Sequence, residues 1–308
     1  MNTRKKLLTP LAGKIDQYID YMRNTINRVF DTERYILYAY DNFCYDQQFS
    51  QLQVEENYLK FAELGDISLE QKAKRYRILY NFHEYCRIYD PSLPIIRKRI
   101  IITHRKRYKA FIYTEDVMKI LLHPEKFTPK ISLFQQKRWC CIIGILYCTG
   151  LRISELLSLK ISDIDFKNCI FTIRGTKFRK NRLVPVHIST IKQIEKYLPL
   201  RANQNSDFIF QTIRGKPLAY SGFNTQFIKI ISQLQIEQKW NKRMRIHDFR
   251  HTFAVNRIIS WQKQGIDVQS HLPFLATYLG HVGIRETSYY LETSEQILQK
   301  TLLKFKPL

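Results

Sequence analysis

The sequence predicts a mainly α-helical protein with one small antiparallel β-sheet, and three observations lead to this fold class. Apolar residues follow helical spacing through residues 11–88 and again from about residue 190 to the end. Only two short runs, residues 169–173 and 183–187, have the composition of strands. The length of 308 residues fits about two domains at roughly 150 residues each.

Charge and composition limit the classes of protein to which this chain can belong. The net charge is +23, while 44% of the residues are apolar and 13% are aromatic, too much core-forming material for a disordered polycation. A folded protein with this charge excess is expected to bind a polyanion, most often nucleic acid. The longest strictly apolar run, residues 139–148, is about half of a membrane span, and Pro10 argues against a signal peptide. The six cysteines show no metal-ligand spacing, so we expect no metal and free thiols in a reducing compartment.

Residues 1–92 are predicted to form a helical domain of about four helices. Apolar side chains recur three or four residues apart from residue 15 to residue 22, as on one buried helix face. Gly65 interrupts the pattern, and Ser68 is the expected start of the last helix. Pro91 ends the region.

Residues 93–110 are the predicted interdomain linker and the most basic stretch of the chain. Seven lysines and arginines fall between residues 95 and 109 with no acidic residue among them. A cluster of one sign repels itself unless a counter-charge is present, which favours a path along DNA phosphates over a solvated surface loop. The DNA contacts predicted here are Arg97, Lys98, Arg99, Arg105, Lys106 and Arg107.

Residues 111–308 are predicted to form a second, mixed α+β domain. Thr114 suits a helix N-terminus, and residues 137–148 are apolar nearly all round, as in a buried central helix that ends at Gly150. A helix through residues 155–159, the two strands joined by a basic turn, and further helices follow.

Four short patterns in this half carry candidate chemistry. Residues 149–156 (TGLRISEL) contain an Arg152/Glu155 pair, and residues 175–185 form a basic turn. Residues 247–251 (HDFRH) place a histidine and an arginine on one helix face, and residues 279–281 (LGH) precede Tyr290 by nine residues. Taken singly, these are ordinary features: a surface salt bridge, a solvated hairpin tip, a core histidine and a packing aromatic.

In this order the patterns resemble the tyrosine recombinase (phage integrase) family, and the longer segment between residues 251 and 279 is similar to its mobile-element members. The resemblance covers residues 110–305 and implies an integrase-type catalytic domain, with residues 1–92 as the family's helical (SAM-like) core-binding domain. It implies no metal, no cofactor and no need for ATP. The catalytic residues that it implies are Arg152, Lys177, His247, Arg250, His281 and Tyr290, with Glu155 supporting Arg152 and with Arg179 and Lys180 on DNA.

The implied function is site-specific DNA recombination through a 3′-phosphotyrosine intermediate. The expected partners are double-stranded DNA and three further copies of the chain. The copies would form a tetramer through an amphipathic C-terminal segment at residues 295–305. The protein would be cytoplasmic and associated with the nucleoid, with no membrane partner. A type IB topoisomerase-like nicking-closing enzyme would use the same chemistry without that exchange segment. A non-catalytic DNA-binding accessory protein would need neither Tyr290 nor Lys177.

Overall fold

The computed structural model describes residues 8–26, 30–98, 110–126, 131–174, 181–234, 244–281, 287–288 and 290–294. The chain divides into two compact units, Met1–Arg107 and Tyr108–Leu308. Within the described ranges, no helix is long and apolar enough to cross a membrane.

The first unit is helical, as predicted. Its helices are α1 (Ala12–Asp20, continued by a π-helical turn at Tyr21–Thr25), α2 (Asp31–Asp46), α3 (Glu55–Glu63) and α4 (Leu69–Tyr89). Their apolar faces enclose one core that includes Leu37, Tyr40 and Phe82. Ser68 begins α4 through a capping box with Gln71, which satisfies backbone N–H groups at the helix start.

The chain after α4 stays on this unit through its first residues. His83 lies 2.8 Å from the carbonyl oxygen of Pro94, the Tyr76 hydroxyl donates to the carbonyl of Arg97, and Ile96 is buried in the core. Arg97 and Lys98 themselves are exposed. The first part of the predicted linker is therefore folded against the helices, while residues 99–109, with the other predicted contacts, lie outside the described residues.

The second unit begins with three helices around a buried centre. They are α5 (Glu115–Leu121), α6 (Leu133–Thr149) and α7 (Ile153–Leu157). The central helix predicted over residues 137–148 is α6, which starts earlier because Ser132 and Gln135 form a capping box. It ends at Gly150, whose φ of 62° is the left-handed conformation that glycine adopts without strain.

A small antiparallel sheet follows, with strands β1 (Ile164–Asp165), β2 (Ile170–Ile173) and β3 (Arg182–Pro185) in that order. The two predicted strands pair with Phe171 opposite Val184, both fully buried. Residues 175–180 between them, including Lys177, Arg179 and Lys180, lie outside the described residues.

Helices complete the unit: α8 (Ile188–Tyr197), α9 (Tyr220–Gln233), α10 (Asp248–Lys263) and α11 (Val268–Leu279). Residues 287–288 and 290–294 are also helical. The long segment after His251 is the remainder of α10, a short turn and α11, so the sequence feature corresponds to a helical hairpin. The mainly helical fold with one antiparallel sheet is confirmed.

Candidate active site

The C-terminal end of α11 provides backbone carbonyl groups that bind arginine side chains of this unit. Gly280 has a φ of 70°, its N–H donates to the carbonyl of Thr277, and the N–H of His281 donates to that of Ala276. This Schellman motif stops the helix and leaves the last carbonyl groups exposed to other donors. The carbonyl oxygens of Tyr278, Leu279 and Gly280 are three consecutive acceptors at the negative end of a helix.

Each of these three carbonyls accepts a hydrogen bond from a different arginine. The Arg182 Nε donates to Tyr278 at 2.9 Å, the Arg250 Nη2 to Leu279 at 2.5 Å and the Arg152 Nη2 to Gly280 at 3.2 Å. The three arginines come from the start of β3, from α10 and from the residue before α7. The helix end therefore gathers three positive charges that are far apart in the sequence.

Glu155 lies between two of these arginines. Its Oε1 accepts from the Arg152 Nη1 at 2.9 Å and from the Arg182 Nη1 at 3.0 Å, while its Oε2 accepts from the Arg182 Nη2 at 2.8 Å. Burial alone would raise the pKa of the Glu155 carboxyl, but the hydrogen bonds and charge of Arg182, with those of Arg152, outweigh it and hold that pKa below its usual range. Glu155 is therefore ionised at neutral pH and forms an ion pair with Arg152.

Arg250 is the most deeply buried of the three arginines, with 1% of its surface exposed. Its Nη1 donates to the carbonyl of Gly150 at 3.0 Å, so Arg250 joins the ends of α6 and α11. Burial, together with the charge of Arg152, lowers the pKa of Arg250 to about 10. Arg250 thus carries its charge at neutral pH. Arg152 and Arg250 are held on the adjacent carbonyls of Gly280 and Leu279, and a pair of neighbouring guanidinium groups is suited to gripping a phosphate.

Two histidine rings pack against Tyr290, the predicted nucleophile. The ring of Tyr290 lies 6.0 Å from that of His281, stacked, and 5.3 Å from that of His251, edge to face. His251 in turn lies 5.2 Å from the ring of His247. Tyr290 is 3% exposed and packs in a small core with Phe253.

Burial and neighbouring charges lower the pKa values of these histidines. Desolvation and then the charges of Arg250 and Arg152 lower the pKa of His247, and the same causes lower the pKa of His281 to about 3. Burial, followed by His247 and Arg250, lowers the pKa of His251 to about 4. Each ring is therefore neutral at neutral pH, with one of its two nitrogens unprotonated.

The structure brings together five of the six predicted catalytic residues and the predicted supporting residue Glu155; the five are Arg152, His247, Arg250, His281 and Tyr290. Lys177, Arg179, Lys180 and Tyr289 lie outside the described residues. Two residues of the cluster, Arg182 and His251, were not predicted as site residues. Among the described residues, no group of three or more histidine, cysteine or acidic side chains could hold a metal ion.

Paired guanidinium groups, neutral histidines and a phenol are suited to phosphoryl transfer with a tyrosine nucleophile, and comparison with known proteins agrees. The sequence profile of the phage integrase family matches residues 110–296. The y4rE protein of Sinorhizobium fredii (strain NBRC 101917 / NGR234), an integrase/recombinase by name, is 31% identical over 293 residues, which are 94% of this chain and 93% of that protein. Tyrosine recombinase XerC of Staphylococcus aureus (strain JH9) is 28% identical over 258 residues, 82% of this chain and 80% of that one.

Solved structures show the same fold. The XerH site-specific recombinase in a post-cleavage complex with a palindromic difH substrate has a TM-score of 0.63 at 22% identity, over 88% of this chain and 78% of that chain. The Tn1549 transposon integrase in complex with transposon right end DNA has a TM-score of 0.62 at 17% identity, over 94% and 99%. The chain belongs to the phage integrase family. It is a tyrosine recombinase, an enzyme that cuts and rejoins DNA.

Proposed function

We propose that this chain recombines DNA at specific sites, with Tyr290 as the nucleophile and with Arg152 and Arg250 holding the scissile phosphate. One observation carries the proposal: two guanidinium groups are held on neighbouring carbonyls beside the histidines that contact Tyr290. Preorganised donors of this kind contribute about 3–4 kcal/mol each to a transition state that gains negative charge.

The reaction would begin when the Tyr290 oxygen attacks phosphorus and its proton passes to a histidine. His247 is the candidate base, and the ring of His251 contacts both His247 and Tyr290. The bond from phosphorus to the 5′ oxygen breaks, and Lys177 is the candidate acid that protonates this leaving oxygen. The products are a 3′-phosphotyrosine bond and a free 5′ hydroxyl. A 5′ hydroxyl from another strand reverses the step, so no ATP is consumed.

Phosphate binding would also prepare the histidines. Burial and, after it, the charges of Arg250 and Arg152 lower the pKa of His247 and of His281; a phosphate anion placed against the two arginines would offset their part and raise both pKa values. His247 becomes a stronger base when substrate is present, which suits a phenol whose ordinary pKa is about 10.

Further parts of the proposal concern the whole complex. The basic residues 97–107 and the hairpin residues Arg179 and Lys180 would contact DNA phosphates. The enzyme would work as a tetramer joined through residues 295–305, on DNA of a mobile element in the cytoplasm. The division into a core-binding domain at 1–92, a linker at 93–110 and a catalytic domain at 111–308 belongs to the same proposal.

A covalent-capture experiment tests the nucleophile and identifies the target. The protein is incubated with a pool of nicked duplexes of random sequence. When the nick lies just downstream of the cut, the short fragment that carries the new 5′ hydroxyl dissociates, so the step cannot reverse and the covalent adduct is trapped. Denatured protein–DNA adducts are recovered, the DNA is sequenced, and mass spectrometry locates the modified residue. We expect the nucleotide on Tyr290.

Two matched variants make the result decisive. Tyr290→Phe removes only the hydroxyl and keeps the ring, so DNA affinity survives and the adduct disappears. Tyr289→Phe is the control, because it removes the same hydroxyl from the adjacent tyrosine and leaves Tyr290 unchanged. Adduct that persists in Tyr290→Phe, or that is lost only in Tyr289→Phe, would refute the assignment.

A further inference from the structure

Arg182 has the chain position of a DNA-binding residue and the contacts of an internal one. It follows the basic turn at residues 175–180, yet only 10% of its side chain is exposed. All three of its guanidinium nitrogens donate to protein acceptors, namely the two carboxylate oxygens of Glu155 and the carbonyl of Tyr278. Its hydrogen bonds hold the site together.

The contacts of Glu155 show what Arg182 does there. Arg182 takes both carboxylate oxygens, whereas the side chain of Arg152 reaches Glu155 only through Nη1. A carboxylate beside an arginine favours a bidentate pair with it. Without Arg182, Glu155 would be free to draw the Arg152 guanidinium into such a pair, away from the carbonyl of Gly280.

Charge leads to the same conclusion. Glu155, Arg152 and Arg182 together carry a net charge of +1, and the Arg182 contribution offsets the carboxylate so that Arg152 presents its charge outward. Removal of Arg182 leaves a neutral Arg152–Glu155 pair, which attracts a phosphate anion less strongly. Arg152 is also the more exposed partner, with 31% of its side chain accessible against 7% for Glu155.

We propose that Arg182 is a positioning residue: it occupies Glu155 and thereby keeps Arg152 oriented and charged toward the scissile phosphate. The inference rests on the proposed phosphate-binding role of Arg152. Arg182 itself touches neither the phosphate nor the nucleophile in this reaction.

Varying the charge of the phosphate at the cut position distinguishes a positioning role of Arg182 from a purely structural one. The duplex recovered by covalent capture is synthesised with either an ordinary phosphodiester or a methylphosphonate at the cut position. The methyl group replaces a charged oxygen, so a defect in neutralising phosphate charge matters less on the second substrate. Single-turnover adduct formation is measured on both, and the ratio of the two rates within one protein preparation is independent of the folded fraction.

For Arg182→Gln we expect a loss of about 100-fold on the phosphodiester, as for a catalytic group misplaced by about 1 Å, and a loss below tenfold on the methylphosphonate. Arg152→Ala should show the same selectivity. Arg201→Gln is the matched control, because Arg201 is also a buried arginine bound to backbone carbonyls, those of Ser206 and Phe208, but does not contact the site. It should affect both substrates equally.

A double variant tests the cause. If Arg182 acts by occupying Glu155, then adding Glu155→Gln to Arg182→Gln should restore at least tenfold of the lost phosphodiester rate, a non-additive result typical of residues in one network. Equal losses on both substrates for Arg182→Gln, or no rescue in the double variant, would overturn the inference alone. Absence of selectivity in Arg152→Ala would overturn the proposed role of Arg152 and the inference with it.

Discussion

Replacing Gly280 by alanine should disturb the site through one added methyl group. Gly280 has a φ of 70°, where a side chain costs about 1–2 kcal/mol. The new Cβ would also lie 2.8 Å from Nη1, 3.0 Å from Cζ and 3.2 Å from Nε of Arg182. The guanidinium must then move by roughly half an ångström to reach ordinary contact distance, which strains hydrogen bonds to Glu155 worth about 1.5–3 kcal/mol each. We expect Gly280→Ala to lower the free energy of unfolding by about 2–5 kcal/mol.

Gly265 provides the control, because it has nearly the same φ, 69°, and a Cβ there would meet nothing within 4 Å. Gly265→Ala should cost only the backbone contribution of about 1–2 kcal/mol. Urea unfolding measures both values, and single-turnover adduct formation measures activity. We expect a loss of roughly 10- to 100-fold in rate for Gly280→Ala and no change for Gly265→Ala under conditions where both are folded. Equal effects of the two substitutions on rate would show that Arg182 and the end of α11 do not set the geometry of the site.

Three other predictions test the remaining parts of the proposal. Lys177→Ala should severely slow cleavage of an ordinary duplex but spare one with a 5′-bridging phosphorothiolate, whose leaving group needs no proton; an equal loss on both, in a gel assay, would indicate that Lys177 binds phosphate instead. Alanine at the basic residues 97–107 should weaken binding to all sequences and flatten the plot of log K against log salt by about 0.9 per lost phosphate contact, whereas an unchanged slope would remove this segment from the DNA interface. The pKa of His281 is about 3 in the folded protein and about 6.5 when unfolded, so the unfolded chain takes up the extra proton and the free energy of unfolding should fall as pH drops from about 6.5 toward 3. When urea unfolding is measured across this pH range, the free energy of unfolding of His281→Gln should change less with pH than that of the unmodified protein. An identical pH dependence would contradict the shifted pKa.

Local chemistry explains why the sequence predicted the helices well. Ser68 and Thr114 do cap the helices that begin after them, because a side-chain oxygen accepts a backbone N–H wherever the rest of the chain lies. Gly150 likewise ends α6 in the left-handed conformation. The short strand β1 was missed, since Ile164–Asp165 spans two residues and shows no alternation.

Non-local contacts explain what the sequence did not reveal at the site. Arg182 looked like one more basic residue beside the turn, and only the fold brings it to Glu155, 27 positions earlier in the chain. One signal was available: Arg182 lies two residues from the buried Val184 and next to the exposed Leu183, so it shares the inward face of the strand. A charge on that face requires an acidic partner.

His251 illustrates a different limit. His251 is the residue after Arg250, whereas the sequence pattern predicted that His247 and Arg250 form a pair on one helix face. Only the position of Tyr290 after α11 shows that His251 is the histidine of this helix whose ring contacts the phenol. The resemblance supplied the order of the catalytic residues, but the main-chain groups that hold the arginines leave no mark in any sequence pattern.

The use of main-chain carbonyls at the end of α11 has a consequence for how this enzyme can diverge. Every amino acid carries the same carbonyl oxygen, so substitutions at Tyr278 or Leu279 leave the acceptors for Arg182 and Arg250 chemically unaltered. Only Gly280 is fixed by the backbone itself. Sequence drift along this helix can therefore reshape its outer surface, while the spacing of the arginines is preserved by the pitch of the helix.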